Sequence, residues 1–294
     1  MLPYPMSTED IDPRFADIDL FSVEEIIGIM NDEDLHVVKA VKDAKDSISM
    51  ATKDAINTIV SGGSIVYVGA GTSGRLGMLD ASEMQPTFNL PTNIIRAIIA
   101  GGEKAITTAV EGAEDDEDAG RKAVSEIKEK DMLLGITASG STPFVISALR
   151  EGKRRGAKCW LLTCSNKEYD FPDGVIRVFV GPEIIAGSTR LKAGTATKIV
   201  LNMISTITMI KLGRVYKGYM VDVVPSSKKL KVRALRMIQD TTGCGYEDAK
   251  AFLEKSGGSA KIAIVMYIKK LSYEDAIDLL EKMGGSLRKA LGVR

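Results

Sequence analysis

Two stretches of small and hydroxyl-bearing residues carry the chemistry this chain could do. The first is Val68-Gly69-Ala70-Gly71-Thr72-Ser73-Gly74-Arg75, entered from the apolar run Ser64–Val68 and followed by a helix-compatible segment. A buried strand that ends in glycines and hydroxyls and turns into a helix offers an anion backbone N–H groups and a positive helix end. The second is Thr137-Ala138-Ser139-Gly140-Ser141-Thr142-Pro143, entered from Leu133-Leu134-Gly135-Ile136. One hydroxyl would serve as a helix cap; four in six residues exceed that need, and Pro143 suits a first helical position. Neither loop holds a Walker lysine, so a sugar phosphate fits better than a nucleoside triphosphate. The candidate phosphate-binding residues are Gly71, Thr72, Ser73, Ser139, Ser141 and Thr142. Gly69-x-Gly71-x-x-Gly74 also matches the dinucleotide pattern, but the next strand, Ile94–Ala100, brings no acidic residue at the required spacing. A third polar segment, Gly181 to Thr195, leads into another helix. Ser188 or Thr189 could cap that helix, Arg190 and Lys192 could neutralise phosphate or carboxylate, and Ser188 and Lys192 are candidate substrate-binding residues.

Acid–base work would fall to carboxylates, whose proton affinity burial can raise. The only histidine, His36, reads as an ordinary helix residue between Leu35 and Val37. Glu83 follows the helix after the first loop, just before Pro86, which is expected to end it. Glu111 and Glu114 open the acidic run through Asp118, which taken alone reads as a solvated face. That run has no histidines or regular aspartate spacing for a metal.

These residues need a frame. Short apolar strands are predicted over Ser64–Val68, Ile94–Ala100, Met132–Ile136, Lys158–Thr163 and Val175–Val180, as in a parallel sheet covered on both faces. Helices are predicted between them, near Ser73–Glu83, Ala105–Ile127 (interrupted by Gly112), Pro143–Arg155 and Thr189–Leu212. Before the first strand, Phe21–Val60 reads as two helices, the first capped by Ser22 and Glu25 and the second starting near Asp32. After Pro225 the chain reads as helical throughout, over Ser226–Thr241, Tyr246–Lys255, Ala260–Lys269 and Tyr273–Lys282. Gly257-Gly258-Ser259 and Gly284-Gly285-Ser286 read as two similar helix starts. The expected division is an N-terminal arm and helices over 1–60, an α/β domain over 61–224 and a helical subdomain over 225–294.

Composition narrows the partners. The chain has 294 residues, 45% hydrophobic, with 39 basic and 39 acidic side chains. That balance argues against nucleic acid, which demands clustered Lys and Arg. No charged-then-apolar leader opens the sequence, and the apolar stretch Ile199–Ile210 is too short to span a bilayer, so no membrane partner is expected. Three cysteines (Cys159, Cys164, Cys244) without metal spacing point to a reducing cytoplasm.

Taken together, the segments Gly69–Gly77, Leu79-Asp80-Ala81-Ser82-Glu83, Ala109–Asp115, Gly187–Thr195 and Leu201-Asn202-Met203-Ile204-Ser205 resemble the N-acetylmuramic acid 6-phosphate etherase family, within the sugar isomerase (SIS) fold. The resemblance runs from about residue 19 to the C-terminus. It implies an SIS-type doubly wound α/β sheet with a small C-terminal helical subdomain. It implies a homodimeric lyase that recycles cell-wall sugars without metal or cofactor. The implied reaction cleaves the D-lactyl ether of a phosphorylated amino sugar by elimination and water addition. Two family glutamates match Glu83, as proton donor, and Glu114, as the second acid–base residue. The sequence departs from the family pattern at Ser141, where arginine is usual, and in the arm at Asp12 and Phe15. The alternatives are an isomerase or lyase on another amino-sugar phosphate, and a non-catalytic sensor similar to the glucokinase regulatory protein.

Overall fold

Five short apolar runs pair as parallel strands in a computed structural model that describes residues 7–293. The elements in chain order are α1 (Val23–Asp43), α2 (Lys45–Val60), β1 (Ile65–Gly69), α3 (Gly71–Ser82), α4 (Met84–Phe88), β2 (Ile95–Ile99), α5 (Lys104–Thr107), α6 (Glu117–Ala123), β3 (Met132–Ile136), α7 (Pro143–Arg154), β4 (Lys158–Thr163) and β5 (Gly174–Arg177). They continue with α8 (Lys192–Lys211), β6 (Val215–Tyr216), β7 (Tyr219–Met220), α9 (Lys228–Thr242), α10 (Tyr246–Lys255), α11 (Ala260–Lys269), α12 (Tyr273–Lys282) and α13 (Leu287–Leu291). They form two units. One holds the chain up to Ser82 together with Asn93–Ser205; the other holds Glu83–Thr92 and the residues from Thr206 on. The division falls within α8.

In the first unit the strand order is β2-β1-β3-β4-β5, all parallel. Every residue of β1 and β3 is buried, which is why these strands read as unbroken apolar runs and not as alternations. One face of the sheet (Val66, Val68, Leu133, Cys159, Leu161) packs with Val124, Phe144, Val145 and Leu149 from the α6–α7 side. The other face carries two polar anchors. Tyr67 Oη donates to Asp80 on α3, and Trp160 Nε1 donates to Asp54 on α2 at 2.9 Å. The order places a switch point between β1 and β3: the chain leaves β1 toward β2 on one side and returns to β3 on the other. Crevices at such points, outside the carboxyl ends of the strands, are where open α/β sheets bind ligands.

The second unit is helical around a core that includes Ala234, Ile238, Ala263, Ile264, Val265 and Leu291. The two Gly-Gly-Ser segments do the same job twice. Each glycine pair adopts positive φ to end one helix, and Ser259 and Ser286 then cap α11 and α13. The β6–β7 hairpin, turned by Lys217 and Gly218 at positive φ, gives no periodic signal and is absent from the sequence-based expectation, whereas the helix start expected at Gly284-Gly285-Ser286 is that of the short α13.

Three further expectations change. The break before β1 falls at Ala44, not near Asp32, because the Ser22–Glu25 capping box starts one long helix that runs to Asp43. The helix expected over Ala105–Ile127 is three pieces: α5, a 3₁₀ turn over Ala113–Asp115, and α6, with Gly112 at φ 72° between the first two. Pro86 does not end the helix after the first loop. That helix stops at Ser82, and Pro86 sits inside α4, early enough that its missing N–H costs no intrahelical bond. The 20-residue α8 is long and apolar enough, by length and composition, to cross a membrane. Ala193, Ala196, Val200, Leu201 and Ile204 are fully packed, as in a core helix.

Candidate active site

The two hydroxyl-bearing loops leave the carboxyl ends of β1 and β3, whose last residues, Gly69 and Ile136, are register partners. They therefore lie side by side at the switch point. The first loop is tighter than its sequence implies, because α3 begins at Gly71 and Thr72 and Ser73 stand in its first turn. Close packing explains the glycines. A Cβ on Gly69 would lie 2.6 Å from the Gly74 backbone nitrogen, and a Cβ on Gly74 would lie 2.5 Å from Ile99 Cγ1. Thr72 and Ser73 are half-buried and, among the described residues, their hydroxyls have no hydrogen-bond partner. They are free to meet a ligand.

The hydroxyls of the second loop bond to each other. Thr137 Oγ1 and Thr142 Oγ1 are 2.7 Å apart, and Ser141 Oγ donates to Ser139 Oγ at 3.2 Å. Gly140, at φ 70°, lets the chain turn, and Tyr169 Oη donates to its carbonyl at 2.8 Å from behind. Thr142 stands at the N-cap of α7 but makes no side-chain cap bond, and its hydroxyl stays within the loop against Thr137.

Glu114 lies exposed in the 3₁₀ turn after Gly112. A small cavity of about 200 Å³ has Glu114, Glu111 and Val110 on one side and Ala70, Gly71 and Arg75 of the first loop on the other. Arg75 shapes this cavity by donating to the carbonyls of Ile106 (3.1 Å) and Thr108 (3.4 Å). The structure thus brings Glu114 beside the first loop. The last three acidic residues of the run have structural work: Asp116 caps α6, and Glu117 and Asp118 pair with Arg121. Glu83 belongs to the second unit, where it is exposed at the start of α4 and its side chain makes no capping bond.

The third segment departs from expectation. Neither Ser188 nor Thr189 caps α8, which starts at Lys192. Glu183, 1% exposed, does so with both oxygens, accepting from the backbone N–H groups of Lys192 (2.8 Å) and Ala193 (2.9 Å). Burial raises the Glu183 proton affinity, partly offset by these donors. Nothing in the residue string singles out Glu183; only its proximity to a helix start distinguishes it. Lys192 also differs from its expected role in holding substrate. Its ammonium is buried and bonded to Glu33 on α1 at 2.6 Å. Burial pushes the Glu33 carboxyl up, but Lys192 and Arg14 outweigh that and hold it below the usual carboxylate range. Removing one partner of a buried pair strands the other charge. Lys192→Met should therefore cost about 3 kcal/mol of stability, at the low end of such losses because Arg14 still faces Glu33 at 3.0 Å. Denaturant unfolding checks this. Ser188 itself remains half-buried in the turn before α8, and the first turn of α8 reaches the first loop, since a Cβ on Gly194 would lie 3.6 Å from Thr72 Cγ2.

Two other chemistries are poorly served. Burial pushes the Cys159 and Cys164 thiols up to about 12, so neither is a thiolate nucleophile at neutral pH. His36 is exposed on α1, 3.7 Å from Glu33.

Comparison with known proteins agrees with this geometry. Residues 47–153 match the family described as the glucokinase regulatory protein N-terminal SIS domain. The chain is similar to N-acetylmuramic acid 6-phosphate etherase 1 of Bacillus licheniformis, at 47% identity over 89% of this chain and 87% of that one. It is similar to N-acetylmuramic acid 6-phosphate etherase of Geobacillus thermodenitrificans, at 44% identity over 97% of this chain and 98% of that one. Among solved structures, a Bacteroides fragilis protein named for phosphosugar isomerisation in capsule formation shares the fold. Its TM-score is 0.50 at 18% identity, over 67% of this chain and 94% of that one. Identity at this level across nearly the full length of both sequences places the chain in the N-acetylmuramic acid 6-phosphate etherase family.

Proposed function

We propose that the protein cleaves the D-lactyl ether of N-acetylmuramic acid 6-phosphate, giving N-acetylglucosamine 6-phosphate and D-lactate. The observation that carries this reading is family membership across the whole chain. The site geometry supports it. The paired loops suit a phosphate, with Gly71, Thr72 and Ser73 on one side and Ser139, Ser141 and Thr142 on the other, and Ser188 stands in the turn before α8. Phosphate bound there anchors the sugar and supplies binding energy remote from the reacting bond.

In the open-chain sugar the aldehyde acidifies the proton on the neighbouring carbon, C2. A carboxylate removes that proton, the C3–O bond breaks, and a carboxylic acid protonates the departing lactate oxygen. Water then adds at C3. Glu83 is assigned as the proton donor and Glu114 as the second acid–base residue; two carboxyls in different surroundings can hold opposite protonation states. Incubation with N-acetylmuramic acid 6-phosphate and assay of D-lactate tests the reading. Release by the wild-type protein supports it, and no release from folded protein refutes it. The reading places the protein in cytoplasmic recycling of cell-wall amino sugars, a setting that suits three unpaired cysteines.

The active form is a homodimer in this account. One face of α1 bears Val23 (67% exposed), Ile27 (54%), Met30 (38%) and Val38 (58%) at helical spacing, an apolar stripe that a second copy would cover. Ile27→Glu should therefore halve the mass measured by light scattering. An unchanged dimer would place the interface elsewhere.

A further inference from the structure

Two of the sequence strings that mark the family, Leu79–Glu83 and Leu201–Ser205, meet in space through one side chain that the reaction does not use. Asp80 is 4% exposed. Its Oδ1 accepts from Asn202 Nδ2 at 2.7 Å and from Ser205 Oγ at 3.0 Å, both on α8, and its Oδ2 accepts from Tyr67 Oη on β1 at 3.0 Å. Among the described residues it has no salt-bridging cation; Lys198 acts on it only through its longer-range charge. Burial raises its proton affinity, and the three donors partly offset this.

A buried carboxylate without a counter-charge is a costly way to hold a fold together. Its value lies in direction. The buried residues of α3 are Gly74, Gly77 and Asp80, so Asp80 supplies the only buried side chain of that helix. The glycines let the helix backbone lie against the sheet, with a Gly77 Cβ position 3.2 Å from Tyr67 Cβ, but they grip nothing. A helix packed through glycines can slide or rotate at little cost, whereas three hydrogen bonds to one carboxylate fix both its rotation and its height. The same helix carries Thr72 and Ser73 in its first turn and ends at Ser82, the residue before Glu83.

We propose that Asp80 is a positioning residue for the etherase reaction, locking α3 to β1 and α8 so that the phosphate-binding first turn is held in register with the substrate. The proposal rests on the etherase reading above. A misplacement of about 1 Å costs catalysis on the order of 10²-fold. The test measures D-lactate release by the wild type, Asp80→Ala and Asp80→Asn, with amide hydrogen exchange across α3 for each. Asp80→Ala should lower kcat about 10²-fold and speed exchange over residues 75–82. Asp80→Asn keeps the shape and an acceptor for both α8 donors, and should recover kcat to within about tenfold of wild type.

Full kcat in Asp80→Ala with a lowered Tm would make Asp80 merely structural and overturn the proposal. So would an Asn variant no better than Ala. If Asp80→Ala does not fold, Asn202→Ala replaces it, with kcat expected to fall about tenfold; unchanged kcat overturns the proposal. A wild type that releases no lactate refutes the etherase reading instead, and exchange then decides the positioning role: α3 amides equally protected in wild type and Asp80→Ala overturn it.

Discussion

Glu83→Gln and Glu114→Gln should each lower D-lactate release by about 10²–10⁴-fold, the range by which a positioned acid or base accelerates proton transfer. Glutamine keeps the shape of each side chain and removes only the proton exchange. Both variants should therefore stay folded and still bind the phosphosugar. Glu83 and Glu114 are exposed, and among the described residues neither side chain holds a hydrogen bond that the fold depends on. Saturating substrate analogue at 100 times Kd should stabilise wild type and variants alike, by about 2.7 kcal/mol. Loss of turnover with binding retained assigns the chemistry to these carboxylates. Intact turnover in both would move the acid–base roles to other residues.

The second large effect lies at Gly69. A methyl group there would stand 2.6 Å from the nitrogen and 2.8 Å from the Cα of Gly74, and 2.8 Å from the carbonyl carbon of Ser73. All three atoms are backbone in the first turn of α3, so no side chain can rotate away. Either β1 or the start of α3 must shift. Gly69→Ala should cost about 1–3 kcal/mol from overpacking. By moving Thr72 and Ser73, it should also weaken phosphosugar binding by at least about tenfold, on the order of 1.4 kcal/mol. Gly28→Ala is the control: Gly28 is exposed in α1 with nothing within 4 Å of its Cβ position, and the change should stabilise by up to about 1 kcal/mol. Calorimetric binding and denaturant titration of the two variants separate loop geometry from a general cost of removing glycine.

Much of the first unit was legible because its central strands, β1 and β3, are buried on both faces. Met132–Ile136 and Lys158–Thr163, the second apolar from Cys159 to Leu162, form strands with the expected bounds. The three C-terminal helices that start at Tyr246, Ala260 and Tyr273 were likewise delimited by glycine and serine punctuation. The two hydroxyl-bearing turns were legible as strand-to-helix loops because each follows an apolar run and leads into a helix. The residues from 104 to 123 were not, since glycines at positive φ and the close approach of Val110 to Gly101, not periodicity, decide that path. Glu183 and Asp80 escaped a residue-by-residue reading for the same reason. Each is one acidic side chain whose meaning depends on partners remote in sequence, such as the 122 residues that separate Asp80 from Asn202. Lys192 misled in the opposite sense: a lysine in a polar loop resembles a substrate contact until its burial against Glu33 is seen.

The central claim is an elimination that breaks the bond between C3 and the ether oxygen, followed by addition of water to the sugar. The most direct measurement is turnover of N-acetylmuramic acid 6-phosphate in ¹⁸O-labelled water, with both products weighed by mass spectrometry. The account predicts one heavy oxygen in N-acetylglucosamine 6-phosphate beyond any exchanged at the aldehyde, and none gained by D-lactate from the cleavage step. Heavy oxygen delivered to lactate would mean cleavage on the other side of the ether oxygen, and would contradict the mechanism even if lactate were released.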